Sequence, residues 1–190
     1  MARKRGLDRA DVLAAALTIV DDEGLDALSL TAVAAALDVQ PPSLYSHVDG
    51  LHGLLDSLAV DVTAEFGETL RDSVIGISGD DAVVAFAHAY RDWATRNPGR
   101  YELSLRRIDP GEKRIAGRGA IQTMDRVLAA YGLSKGEATS AGRSLRAALH
   151  GFATLEAADS LGRGSNDESF NYMVRLFIDG VRANASTSTA

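Results

Sequence analysis

Cysteine is missing from the chain altogether. Its absence excludes disulfides, thiol nucleophiles and cysteine-ligated zinc together, and it fits a reducing cytoplasm. No apolar run reaches membrane-spanning length and no signal core follows the basic first residues, so a soluble cytoplasmic protein is expected. Catalytic signatures are missing too. The glycines from Gly111 to Gly119 lack the Gly-Lys-Ser/Thr ending of a phosphate loop, and no serine stands in a Gly-x-Ser-x-Gly elbow. Neither an enzyme nor a cofactor is expected. The remaining shortage is positional. No Lys or Arg occurs between Arg9 and Arg71, while the same stretch holds Asp21, Asp22, Glu23, Asp26, Asp38, Asp49 and Asp56.

What is present is an ordinary globular composition. The 190 residues are 46% hydrophobic and 24% charged, with 6% aromatic, enough for one large or two small domains with a proper core. Apolar residues recur at helical spacing throughout, without strand alternation or internal repeat, so the fold is expected to be all-α with about nine helices. Asp8 caps a first helix striped by Val12, Leu13, Ala16, Ile19 and Val20, and Gly24 stops it. Another long helix runs from Asp49 through Leu54, Leu58 and Val62 to Gly67. Later ones carry Phe86, Tyr90 and Trp93, then Ile121, Met124 and Leu128. Ser134 with Glu137 forms a capping box for a helix through Phe152. Ser165 or Asp167 caps the last, and the Asp-Pro-Gly and Gly-Arg-Gly between Arg106 and Gly119 read as a loop. Residues 185–190, rich in Ser and Thr, are expected to be a disordered tail.

The stretch Ser29–Leu55 organises the rest. Ser29 caps a two-turn helix of Leu30, Val33 and Leu37, and Pro41-Pro42 opens a second start almost at once. Two short helices with so little between them cross steeply, as in a helix-turn-helix. Leu44 and Val48 face inward, which leaves Gln40, Pro41, Ser43, Tyr45, Ser46 and His47 to meet base edges and phosphates. Ser29, Thr31 and His52 are expected to bind DNA beside this surface through phosphate contacts. The short basic arm of Arg3, Lys4 and Arg5 is either a frayed tail or a backbone or minor-groove contact. A net charge of −6 argues against non-specific coating of nucleic acid.

The run Gln40-Pro-Pro-Ser-Leu-Tyr-Ser-His-Val-Asp-Gly-Leu-His-Gly-Leu-Leu-Asp-Ser-Leu-Ala59 resembles the recognition helix and following helix of TetR-family repressors. The likeness reaches back through Val12–Gly24. The family usually carries a lysine where this chain has Leu51, with His52 beside it. In the second half, Ala-Tyr-Arg-Asp-Trp93 and His150-Gly151 are similar to the TetR-like C-terminal domain named for its Trp, His and Gly.

The resemblance implies a DNA-binding head over residues 1–52 and an effector-binding, dimerising domain over 53–184. It implies a homodimer through the last two long helices, about 134–161 and 167–184, on a palindromic DNA operator, released by a small apolar or aromatic effector. The pocket is then expected among Leu58, Val62, Phe86, Tyr90, Trp93, Met124, Leu128, His150 and Phe152. By periodicity alone, Phe86, Tyr90 and Trp93 are a core stripe, and His150 is a core histidine or marks a close crossing that Gly151 permits. His52 and Asp56 alone share a helical turn among the candidate ligands, so no metal site is expected. A ligand-responsive repressor is the expected function. The alternative is an all-α sensor or carrier whose acid-rich head meets protein instead of DNA.

Overall fold

The computed structural model describes residues 6–187. Among them there is no strand. Nine α-helices and two short 3-10 helices divide into two compact units.

The first unit holds the chain up to Thr63 together with Asn97–Ala116. Its opening helix α1 spans Arg9–Glu23 and begins with a capping box. The Asp8 carboxylate accepts from the Asp11 N–H at 2.9 Å, and the Asp11 carboxylate accepts from the Asp8 N–H at 3.0 Å. Gly24, at φ +86°, ends it by adopting a backbone that few other residues take. A 3-10 turn at Leu25–Ala27 leads to α2, Leu30–Ala36, and a second at Pro41–Ser46 leads to α3, Gly50–Asp72. The helices α5, Pro98–Leu105, and α6, Pro110–Ala116, complete the unit.

The opening stretch of the first compact unit ends at Thr63, and residues 97–116 share that unit. The cause is local packing. α5 lies against α1 so closely that a Cβ at Gly99 would stand 2.8 Å from the Val20 carbonyl oxygen, which only glycine permits. Arg100 of α5 also takes Asp21 of α1 in a bidentate pair, Nε to Oδ1 at 2.8 Å and Nη2 to Oδ2 at 2.6 Å. That pair explains an acid near the C-terminal end of a helix, where the dipole alone disfavours it. The stretch expected as a loop contains α6 because Asp109 acts as its cap. Its carboxylate accepts from the N–H groups of Gly111 and Glu112, and Pro110 occupies the first position.

The second unit holds the remainder of α3 from Ala64, with α4, Gly79–Arg96, α7, Arg118–Ala129, α8, Lys135–Ala157, and α9, Asn166–Thr187. Gly67 does not stop α3. A Cβ there would lie 3.1 Å from the Ala120 backbone N, so this glycine serves a close approach of α3 to α7. The α8 capping box forms as expected, and Ser165 caps α9 through the Glu168 N–H. The last helix runs to Thr187, three residues into the stretch expected as a tail. Residues 188–190 lie outside the described residues.

The buried side chains of this unit include Phe86, Leu128, Leu145, Leu149 and Phe170, each almost completely enclosed, at about 1.5–3 kcal/mol apiece for aliphatic or aromatic burial. Arg91 of α4 ties three helices. Its guanidinium takes Glu156 of α8 through Nε at 2.7 Å and Nη2 at 2.5 Å, and Asp167 of α9 through Nη1 at 2.8 Å. It also stands over the rings of Phe152 and Phe170, 5.4 and 4.9 Å from their centroids. The hydrogen bond to Arg91 holds the Glu156 carboxyl below its ordinary range, against the opposing effect of burial. Tyr131 donates to Asp80 at 2.7 Å, and Arg182 pairs with the same carboxylate. Burial, then that hydrogen bond, raises the Tyr131 phenol.

Candidate nucleic-acid interface

The turn between α2 and the second 3-10 helix is set by hydrogen bonding. Asp38 sits in the left-handed region at φ +54°. Its N–H donates to the Ala35 carbonyl at 3.2 Å and the Val39 N–H reaches the Ala34 carbonyl at 3.0 Å. These two bonds make a Schellman turn with a non-glycine residue at its bend. Ser29 caps the other end of α2, accepting from the Ala32 N–H at 3.1 Å.

The recognition segment is a 3-10 helix, Pro41–Ser46, and not the α-helix expected. Two adjacent prolines supply no N–H, and the first donor, Ser43, closes on the Gln40 carbonyl three residues back at 2.9 Å. A period of three then governs the faces. Pro41, Leu44 and His47 align, so Leu44 is buried while Pro41 and His47 are half-buried. Pro42, Ser43, Tyr45 and Ser46 are exposed, with Tyr45 63% exposed. His47 and Pro41 therefore present less than expected, and Pro42, which the helical spacing did not single out, presents more. Gln40 and Thr31 are exposed and Ser29 is half-buried. Arg3, Lys4 and Arg5 lie outside the described residues.

His52 stands exposed on the first turn of α3, its Nδ1 3.0 Å from Asp56 Oδ2. A cleft of about 600 Å³ runs beside this surface, bordered by Arg9, Tyr45, His47, Asp49, Asp56 and Glu112 among others. Arg9 is turned onto α3, donating to Ser57 Oγ at 2.8 Å.

The residues expected to form an effector pocket fall in both units. Leu58 and Val62 belong to the first unit, while Phe86, Tyr90, Trp93, Met124, Leu128, His150 and Phe152 belong to the second. Trp93 stacks on Phe66 at 4.4 Å and Tyr90 meets the same ring edge-on at 4.9 Å. The aromatic stripe is thus packed core. Phe66 was not among the expected residues, though it lies on the same stripe of α3 as Val62. A second cleft, about 350 Å³, is polar and bordered by Arg91, Asp92, Thr95, Glu156, Ala157 and Asp167, so neither cleft is lined by the expected set. Nothing crowds Gly151, so His150 does not mark a close crossing; the tight glycine of α8 is Gly142, where a Cβ would stand 3.2 Å from Met124 Cγ.

Residues 83–177 match the family described as the tetracyclin repressor-like C-terminal domain. The chain is also 34% identical over 186 residues to an uncharacterized HTH-type transcriptional regulator, YobS of Bacillus subtilis, covering 97% of each. The chain belongs to the TetR family of helix-turn-helix transcriptional regulators. A second relative, the uncharacterized HTH-type transcriptional regulator Rv0681 of Mycobacterium tuberculosis, is 37% identical, over 95% of this chain and 84% of its own. Among solved structures, a protein of unknown function from Rhodococcus superposes with a TM-score of 0.80 at 24% identity, covering 95% of this chain and 98% of its own. BioQ bound to its double-stranded DNA operator superposes at 0.68, with 24% identity, over 94% and 99%. These two likenesses concern the TetR fold.

Proposed function

We propose that this regulator is a homodimeric repressor that reads a palindromic operator and lets go of it when a small apolar or aromatic effector binds. The observation that carries the reading is the outward polar side of Pro42, Ser43, Tyr45 and Ser46, fixed by burial of Leu44 and Val48 on the other side. Two such segments about 34–36 Å apart would enter successive major grooves of one DNA face. The operator complex of BioQ supports DNA as the partner.

The dimer surface would lie on α8 and α9. Leu155 of α8 and Tyr172 and Leu176 of α9 are large apolar side chains left exposed, and Gly151 and Gly180 have open space above them. Residues 151 and 155, and residues 172, 176 and 180, each recur at a spacing of four on one side of their helix. Two such pairs of helices bury each other as a four-helix interface.

The effector would bind among α4, α7 and α8, near Trp93, Met124, Leu128 and Phe152. Those side chains are packed, so it would have to part Trp93 from Phe66. Phe66 lies on α3, which is continuous from Gly50 to Asp72, and a shift there would be carried along one helix to His52. Sedimentation of the purified protein, with titration of a palindromic fragment selected from a randomised duplex pool, tests the proposal. The expected result is a dimer whose affinity falls steeply with salt. A monomer that binds no duplex at any salt contradicts it.

A further inference from the structure

The segment Asn97–Ala116 shares a compact unit with the helix-turn-helix, and it carries bases that the stretch between Arg9 and Arg71 lacks. Arg100 and Arg106 are spent on acids of the head itself. Arg100 takes Asp21, and Arg106 Nε donates to Asp56 Oδ1 at 2.8 Å. Asp56 stands one helical turn after the exposed His52, which holds its other oxygen at 3.0 Å. A bare carboxylate on the turn below the groove-facing segment repels a phosphate. One paired with a guanidinium does so far less.

From Arg106 the chain passes through Arg107 to Glu112, which borders the same cleft as Tyr45, Ser46 and His47. Arg107 is exposed and makes no ion pair or hydrogen bond among the described residues. Arg114, two residues past Glu112, lies about 200° round α6 from it and so on the other face.

We propose that Arg106 and Arg107 give the nucleic-acid face the positive edge its own helices lack, Arg106 by cancelling the Asp56 carboxylate and Arg107 by taking a backbone phosphate. This rests on the head being a DNA reader. It accounts for a recognition unit in which Arg9 is the sole Lys or Arg from Gly6 to Thr63, since a reader must still neutralise phosphates.

The test uses the full chain and a mixed-sequence duplex of about 30 base pairs, titrated by fluorescence anisotropy between about 50 and 200 mM salt. Removing one phosphate contact lowers the slope of log affinity against log salt by about 0.9. Arg107→Gln should therefore lose about 3.5-fold less affinity over that range than the unaltered protein, while Arg114→Gln should match it. Arg106→Gln should weaken binding, and adding Asp56→Asn should restore it, which loss of the arginine's packing alone would not predict. Circular dichroism melts check that each variant is folded. An unchanged slope in Arg107→Gln, or a double variant no better than Arg106→Gln, overturns the assignment and leaves the DNA reading standing. Absence of duplex binding by the unaltered protein at every salt overturns both.

Discussion

Truncating Glu156 to alanine would strip Arg91 of its main partner. The guanidinium, whose side chain is 12% exposed, would remain over Phe152 and Phe170 with Asp167 alone, and Asp167 is 79% exposed. Breaking a fully buried pair by removing one partner costs about 3–5 kcal/mol. The retained Asp167 and the ring contacts reduce that to about 1–3 kcal/mol. For a chain of this size the melting temperature should fall by roughly 3–10 °C. The pH dependence has a definite sign. The Glu156 carboxyl is held below its ordinary range by Arg91, so its contribution is full above the unfolded value of about 4.3 and is lost as pH falls through the folded value. The gap between Glu156→Ala and the unaltered protein should be widest near neutrality and close as pH drops below about 4. Trp93 is the single tryptophan and is buried in α4, so its emission follows the melt. Equal gaps at neutral and acid pH, or no gap at neutral pH, would refute the description of Arg91 as the tie between α4, α8 and α9.

Leu44→Ala should destabilise the head by about 2–5 kcal/mol, because the side chain is fully buried and its truncation leaves a cavity; hydrogen exchange of α2 amides reads the loss, and unchanged protection would contradict the packing. Gly99→Ala should cost about 1–3 kcal/mol, since its Cβ would meet the Val20 carbonyl oxygen at 2.8 Å. Chemical denaturation measures this, and an alanine variant as stable as the parent would show that α5 does not rest on α1 as described.

What could be read from the sequence was local. Asp8, Ser29 and Ser134 cap helices through N–H groups three residues away, so the sequence alone carries both partners of each bond. The same holds for the inward face of Leu44 and Val48. Non-local features were not legible. Asp21 finds Arg100 seventy-nine residues on, and nothing near residue 21 announces it. Gly67 resembles a stop until α7 is seen to cross it. Asp109-Pro110-Gly111 fits both a turn and a capped helix start, and only packing chooses between them. In the Pro41–Ser46 segment the apolar pair at Leu44 and Val48 fits a period near four, whereas two prolines without donors favour the period of three that the structure shows. Apolar spacing marks a core as readily as a pocket, so the effector residues rest on the family resemblance and not on periodicity.

Tyr45→Ala gives the most direct measurement of the central claim, that the Pro41–Ser46 segment presents its polar side to DNA. Tyr45 is mostly exposed, so the melting temperature should not move, within the roughly 0.5 kcal/mol typical of surface changes. Titrated on a duplex selected by the unaltered protein, the variant should bind about 5- to 150-fold more weakly, the range for one base contact of about 1–3 kcal/mol. Equal affinity of the two proteins for that duplex would contradict the account.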